Sequence, residues 1–292
     1  MVSNNHTQNM KTLLVATDFS ANARHAAEYG YNLAKQIKAD IVLCNAVTVP
    51  AEVPQSGMVV WPMDDLEMLM LGSTAELENL KLQLEKPTPP NDFKPGIILK
   101  NESGVVADVV EGYAENNPVD LVVMGTHGEG MNSFLLGNHS KNMIEVTTKP
   151  LMLIPPQAQF VPLKKIAFAT DFAHPEDDLE SLFHLIPLAK ILGAEVLLTH
   201  IHDDQEPSAE MKKTIAGFMT EVSNKANYPQ IYYRSVRNSR VEAGLSWICE
   251  HGHVDMLVMV HRPHSFIYRL LKSSHSEKMA GRLDIPLLVF PA

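Results

Sequence analysis

Thirteen histidines are spread through the 292 residues, and four of them fall where they could share a ligand. His200 and His202 flank Ile201, which puts both imidazoles on one face of a strand, and His261-x-x-His264 follows a later apolar run. With Asp203 and Asp204 beside them they form a nitrogen and oxygen set of the kind zinc accepts. Chance pairing in a histidine-rich chain is the competing reading. A second set is rich in glycine: Gly125-Thr126-His127-Gly128-Glu129-Gly130, then Gly137-Asn138-His139-Ser140. Glycine permits positive φ and close approach to the backbone, so this segment is either a tight strand-to-helix turn or a place where another group lies against the chain. A third pair is Thr17-Asp18, which recurs as Thr170-Asp171, each Asp also able to cap the helix after it.

That recurrence is part of a longer pattern. Ala16-Thr17-Asp18-Phe19 returns as Ala169-Thr170-Asp171-Phe172, an offset of 169 − 16 = 153. Leu33-Ala34-Lys35 returns as Leu188-Ala189-Lys190, and Ala39-Asp40-Ile41-Val42-Leu43 as Ala194-Glu195-Val196-Leu197-Leu198, both offset by 155. Val119 to Met124 then matches Val254 to Met259 at an offset of 135, and Pro150 to Pro155 matches Pro286 to Pro291 at 136. Collinear blocks of this kind mark a duplicated domain. The fall in offset means that the first repeat carries about 20 residues (155 − 135) that the second lacks, between Pro50 and Pro95. We expect domains at 1–155 and 164–292 with a stiff proline-bearing connector at 156–163.

Within each repeat, short continuous apolar runs alternate with helical patterns, as in parallel sheets buried on both faces. Strands are predicted near 12–17, 40–47, 97–101, 120–125 and 150–154, and near 165–170, 194–202, 230–236, 254–260 and 286–290. The helix after the first strand opens at a Ser20 cap and carries Ala23, Ala26, Ala27, Gly30, Leu33, Ala34 and Ile37 on one face, small enough to lie close to the sheet. Ser239-Arg240-Val241-Glu242 has capping-box spacing. In the insert, Leu66, Leu69, Ser73, Leu77, Leu80 and Leu84 form an amphipathic helix, and the prolines around it suggest a flap or interface arm. The fold class is α/β: two doubly wound open sheets of five mainly parallel strands, paired as an internal pseudo-dimer through 150–154 and 286–290. Ligands of such sheets sit beyond the carboxyl ends of the strands where strand order reverses, which singles out Thr17-Asp18, Asn45-Ala46 and the glycine segment.

Composition excludes several classes. The charge, 24 − 34 = −10, offers no basic field for nucleic acid. The longest apolar run, Met256 to Val260, is five residues, far below the roughly 20 of a membrane span. Met1 to Met10 lacks the layout of a secretory signal, and two cysteines, Cys44 and Cys249, make no disulfide framework. The expectation is a soluble cytoplasmic protein without membrane or nucleic-acid partners.

The Ala-Thr-Asp-Phe-Ser opening at Ala16, the Met-Gly-Thr-His-Gly segment at Met124, the helix-opening Gly137 and the Lys-Pro-Leu-Met-Leu-Ile-Pro ending at Lys149 together resemble the universal stress protein family. Both repeats match, so the resemblance is to a tandem member. It implies an adenine nucleotide alpha hydrolase-like fold, association through the last strand and, in many members, ATP held by Gly-x-x-Gly, nine residues and Gly-Ser/Thr. Transferred by position, Thr17 and Asp18 would meet the ribose, Asn45 and Ala46 the adenine edge, and Gly125, Gly128, Gly137, Asn138, His139 and Ser140 the phosphates. Helix amides and glycine backbone suit that last task.

Two departures stand out. Eight residues separate Gly128 from Gly137, and Asn138 replaces the family's Ser or Thr. In the second repeat the glycines give way to Val260-His261-Arg262-Pro263-His264, which leaves a degenerate site. There is no Gly-x-Ser-x-Gly elbow and no Walker loop, and Gly128-Glu129-Gly130 follows a fourth strand rather than a first. The expected function is a stress-response protein sensing ATP or AMP in its first domain, with no metal beyond nucleotide-associated magnesium. A protein partner, of unknown identity, would read the change, and a homodimer is possible in this scheme. The alternatives are a structural or protein-interaction module without nucleotide and, third, a weak ATP hydrolase with His127 activating water, or a metal-binding protein.

Overall fold

The computed structural model describes residues 10–48, 63–85, 92–126, 138–203, 208–262 and 284–291. The first half runs β1 (Thr12–Ala16), α1 (Ala21–Ile37), β2 (Asp40–Val47), α2 (Met63–Leu84), β3 (Ile97–Ser103), α3 (Val106–Asn116), β4 (Leu121–Gly125), α4 (Asn138–Val146) and β5 (Leu151–Ile154). The second runs β6 (Lys165–Ala169), α5 (Pro175–Leu192), β7 (Glu195–His202), α6 (Ala209–Lys225), β8 (Ile231–Arg237), α7 (Val241–His251), β9 (Met256–His261) and β10 (Leu287–Pro291). Each half contributes five strands parallel to one another. They join edge to edge into one sheet, β3-β2-β1-β4-β5-β10-β9-β6-β7-β8, in which, among the described residues, the one antiparallel pair is the central β5–β10 seam, with Met152 opposite Leu288. The internal pseudo-dimer is therefore a single continuous sheet.

Strands such as Leu121–Gly125 and Leu151–Ile154 are buried at every position, so both faces must be covered. One side chain layer joins β1, β4, β6 and β9 to α1, α2, α5 and α6, and the other joins them to α3, α4 and α7. The small face of α1 lets it settle on the sheet: a Cβ at Gly30 would come within 3.1 Å of Val15 and 3.6 Å of Val123. Ser20 caps α1 as expected, its Oγ accepting from the Ala23 amide at 3.2 Å. Ser20→Ala should cost about 1 kcal/mol in denaturant unfolding, and no measurable loss would mean the cap is redundant with the neighbouring turn.

Two local expectations are corrected. The Ser239 capping box does not form: α7 starts one residue later, with Arg240 at the N-cap and no side-chain acceptor, while Asn238 Oδ1 takes the Arg240 amide at 3.0 Å. Asn238 is the better local acceptor, so it displaces the box. The insert helix is not an arm. Leu77, Leu80 and Leu84 of α2 are buried on the sheet, Lys81 Nζ donates to Ile97 O at 3.1 Å and Arg24 pairs with Glu76 at 2.7 Å. It is the crossover from β2 to β3, the place that α6 fills between β7 and β8, and proline flanks do not alter that requirement of a parallel pair. Its opposite side, with Met68, Leu69, Leu71 and Leu82, faces solvent.

Candidate functional site

In each half the chain leaves the first strand outward, then returns to add the fourth on the other side, so strand order reverses between β1 and β4. At the carboxyl ends of β1, β2 and β4 a cavity of about 130 Å³ opens, lined among others by Thr17, Asp18, Ala46, Thr48, Gly125 and His139. Its floor is apolar, from Ala16, Cys44 and Met124, which sit in register on one sheet face, and from Val106 and Val110 of α3. The first turns of three helices border it through Ala23, Val106 and His139. The N-cap of α3, Val105, supplies no side-chain hydrogen bond. Convergent helix N-termini favour negative charge.

The Thr17-Asp18 turn is built tightly. The Thr17 amide donates to Cys44 O at 2.9 Å, Thr17 Oγ1 accepts from the Phe19 amide at 3.1 Å, and Asn45 Nδ2 donates to Thr17 O at 2.7 Å. Phe19 takes φ 62°, left-handed for a non-glycine residue. Asp18 Oδ1 accepts from the Ser20 amide at 3.0 Å, and its carboxylate stands exposed at the rim. Gly125 is obligatory for a different reason: a Cβ there would lie 2.7 Å from the carbonyl oxygen of Asn22, in the first turn of α1. Burial pushes the Cys44 thiol up to about 12, which makes it apolar lining rather than a nucleophile.

Of the residues singled out from sequence, Thr17, Asp18, Ala46, Gly125 and His139 line one cavity. Asn45 is buried and braces the turn from behind. Asn138 is exposed at the start of α4, and Ser140 is buried there without lining the cavity. Gly128, Gly137, His127 and Gly130 lie outside the described residues. Sequence reasoning missed Cys44, Thr48, Val106, Val110 and Met124. Alternation along the strands carries the signal, but runs buried on both faces hide which face opens.

The second half repeats the turn and sets an ion pair beside it. The Phe172 amide donates to Thr170 Oγ1 at 2.9 Å, and Phe172 has φ 56°. His200 stands where Asn45 does and its Nδ1 donates to Thr170 O at 3.0 Å, so this imidazole is a structural brace. Just beyond β9, Arg262 reaches back to α5, pairing with Asp178 at 2.7 Å and Asp177 at 3.5 Å, while Thr170 Oγ1 donates to Asp178 at 2.5 Å. Asp178 is almost fully enclosed. Burial raises its pKa, opposed by the hydrogen bonds from Thr170 and Arg262. Val260 occupies the position of Gly125.

The histidine set is brought together only in part. His200 and His202 stack at 6.1 Å, but His200 Nδ1 is engaged and His202 Nδ1 donates to Asp203 O at 2.7 Å. Among the described residues no three ligating side chains converge, and His264 and Asp204 lie outside them. Burial lowers the pKa of His261.

Comparison with known proteins agrees with the two halves. The universal stress protein family matches residues 9–155 and again residues 162–291. The chain belongs to the universal stress protein family. As a tandem member, this universal stress protein is 26% identical over 147 residues to universal stress protein MJ0531 of Methanocaldococcus jannaschii, covering 49% of this chain and 81% of that one. It is 27% identical over 161 residues to universal stress protein MJ0577 of the same organism, covering 49% and 94%. In fold it is similar over its whole length to a universal stress protein of Archaeoglobus fulgidus DSM 4304, with a TM-score of 0.67 at 15% identity and 97% of each chain covered. No helix among the described residues of this universal stress protein is long and apolar enough to cross a membrane.

Proposed function

We propose that the first domain binds an adenine nucleotide, ATP or AMP, and that the protein acts in the cytoplasm as a ligand-linked sensor in a stress response. The observation that carries this reading is the cavity at the β1–β4 switch point of the first half; at the corresponding strand ends of the second, Arg262 is paired with Asp178. Its volume, about 130 Å³, is below the roughly 300–1,000 Å³ of sites that enclose whole drug-sized ligands. It suits the base, with sugar and phosphates extending along the open edge. In this assignment the apolar floor and the backbone at Asn45 and Ala46 take the adenine, and Asp18 takes the ribose hydroxyls. Gly125 and the opening of α4, with Asn138 and His139, take the phosphates, to which Gly128 and Gly137, outside the described residues, are assigned by sequence position alone.

A module without nucleotide is the second reading, favoured by the eight-residue spacing and by Asn138. Mass spectrometry of small molecules released by acid from protein purified without added nucleotide separates the two. The sensor reading expects near one adenine nucleotide per chain, or thermal stabilisation by added ATP or AMP, about 2.7 kcal/mol at a hundredfold excess over Kd. Neither release nor a melting shift would leave the interaction module.

A further inference from the structure

The Thr17-Asp18 turn is held from four directions, and three of them recur in the second half. The amide of the left-handed residue donates back to the threonine hydroxyl in both, Phe19 to Thr17 and Phe172 to Thr170. The next amide donates to the aspartate, Ser20 to Asp18 and Ala173 to Asp171, each at 3.0 Å. A side chain of the neighbouring strand holds the threonine carbonyl, Asn45 of β2 in one half and His200 of β7 in the other. The fourth hold comes from α1, where Arg24 Nε donates to Phe19 O at 2.9 Å. Helices α1 and α5 end in equivalent left-handed caps, Lys38 and Gly193, an offset of 193 − 38 = 155. In that register the place of Arg24 falls to Leu179, which has no group to donate.

Arg24 is itself held from outside the site. Its Nη2 donates to Glu76 at 2.7 Å and its Nη1 to Gln83 at 3.4 Å, two residues seven apart and so on one face of α2. Neither lines the cavity at the strand ends. A planar guanidinium can grip a carbonyl with one edge and a carboxylate with the other, which a lysine ammonium cannot reproduce. Phe19, at φ 62°, occupies a conformation that a non-glycine residue keeps only where its surroundings fix it. Loosening Arg24 therefore frees Phe19 and, next to it, the Asp18 carboxylate at the cavity rim.

We propose that Arg24 is a positioning residue for the nucleotide site, set in place by Glu76, so that affinity in the first half depends on a helix, α2, whose gripping residues do not line the cavity. The inference rests on the nucleotide reading of that cavity, with Asp18 at the ribose. Linkage makes the dependence mutual: a nucleotide that fixes Asp18 also strengthens the hold between Arg24 and α2. Occupancy of the site is thereby carried to a helix whose far side faces solvent. Direct electrostatics gives the opposite sign at Glu76. Exchanging this carboxylate for an amide makes the neighbourhood less negative, which strengthens binding of an anionic ligand if charge alone matters and weakens it if position matters.

The test uses the full chain with Glu76→Gln, Arg24→Lys and Arg24→Leu, the last installing the residue of the second half. Calorimetric titration with ATP should show at least ~5-fold weaker binding for Glu76→Gln and Arg24→Leu, with Arg24→Lys between them and wild type. Melting without nucleotide should stay nearly constant, because the Arg24–Glu76 pair is partly exposed, and this confirms that the variants fold. Amide exchange without nucleotide reads the hold on the turn separately: Phe19 and Ser20 should exchange at least ~5-fold faster in Glu76→Gln and Arg24→Leu. Equal or tighter ATP binding by Glu76→Gln overturns the proposal, and so does unchanged exchange at Phe19 and Ser20, whatever ATP does. A wild type that binds no ATP, with exchange still altered in the variants, removes the nucleotide reading instead, and the role given to Arg24 falls with it.

Discussion

Arg262→Ala is expected to lower unfolding stability by about 3–5 kcal/mol, the range for removing one partner of an enclosed ion pair. The guanidinium is the charge that compensates Asp178 across the β6–β9 edge, and only Thr170 would remain to solvate that carboxylate. The loss should depend on pH. Burial already holds the Asp178 pKa above its ordinary value, so the folded state binds the proton more tightly than the unfolded state. Stability assigned to this group is then fully present below the ordinary carboxylate pKa and is lost as pH rises through the raised folded value. Without Arg262 the folded value moves higher, and the window of loss widens upward. Denaturant unfolding of wild type and variant across acidic to neutral pH measures both effects. Joint replacement by Arg262→Met and Asp178→Leu should recover most of the loss. A single-variant loss under about 1 kcal/mol, flat with pH, would show that solvent screens the pair.

Gly125→Val should remove nucleotide-dependent stabilisation altogether and cost about 1–3 kcal/mol from overpacking. The added Cβ meets backbone rather than a mobile side chain, so the first turn of α1 must shift, and with it the Thr17-Asp18 turn. The reciprocal change, Val260→Gly, should leave the nucleotide response of the first half nearly unchanged and add no second one, because Arg262 and Asp178 remain paired at the corresponding strand ends. Melting curves with and without ATP on the pair of variants test this. Retained ATP stabilisation in Gly125→Val would place any nucleotide elsewhere.

The architecture was legible because duplication supplied the topology twice. Thr17-Asp18 and Thr170-Asp171 form the same turn, and strand limits such as 40–47 hold residue for residue. What escaped notice was whatever depends on distant pairing. In the sequence Arg262 is only part of the segment that replaces the glycines, and nothing local announces that Asp178, 84 positions earlier, is its partner. Asn45 and His200 share one bracing role, yet their types differ too much for a sequence to equate them. The prolines around α2 suggested an arm, since local stiffness was visible and the demand for a crossover helix was not. Cys44 and Met124 lie in continuous apolar runs, and whether such a face stops short of its helix at the strand ends depends on α3, not on the strand.

The covalent seam has a consequence for how such a molecule can change. In an assembly of two identical chains, every substitution appears twice, and an insertion that plugs one site plugs both. Here β5 and β10 belong to one polypeptide, so Val260 and Arg262 could arise without touching Gly125. The central strand pair also forms within a single molecule, independent of concentration, and no dilution can separate an open half from its closed neighbour. One chain can thus keep a cavity at the strand ends of one half while the same place in the other half changes, in fixed proportion of one to one.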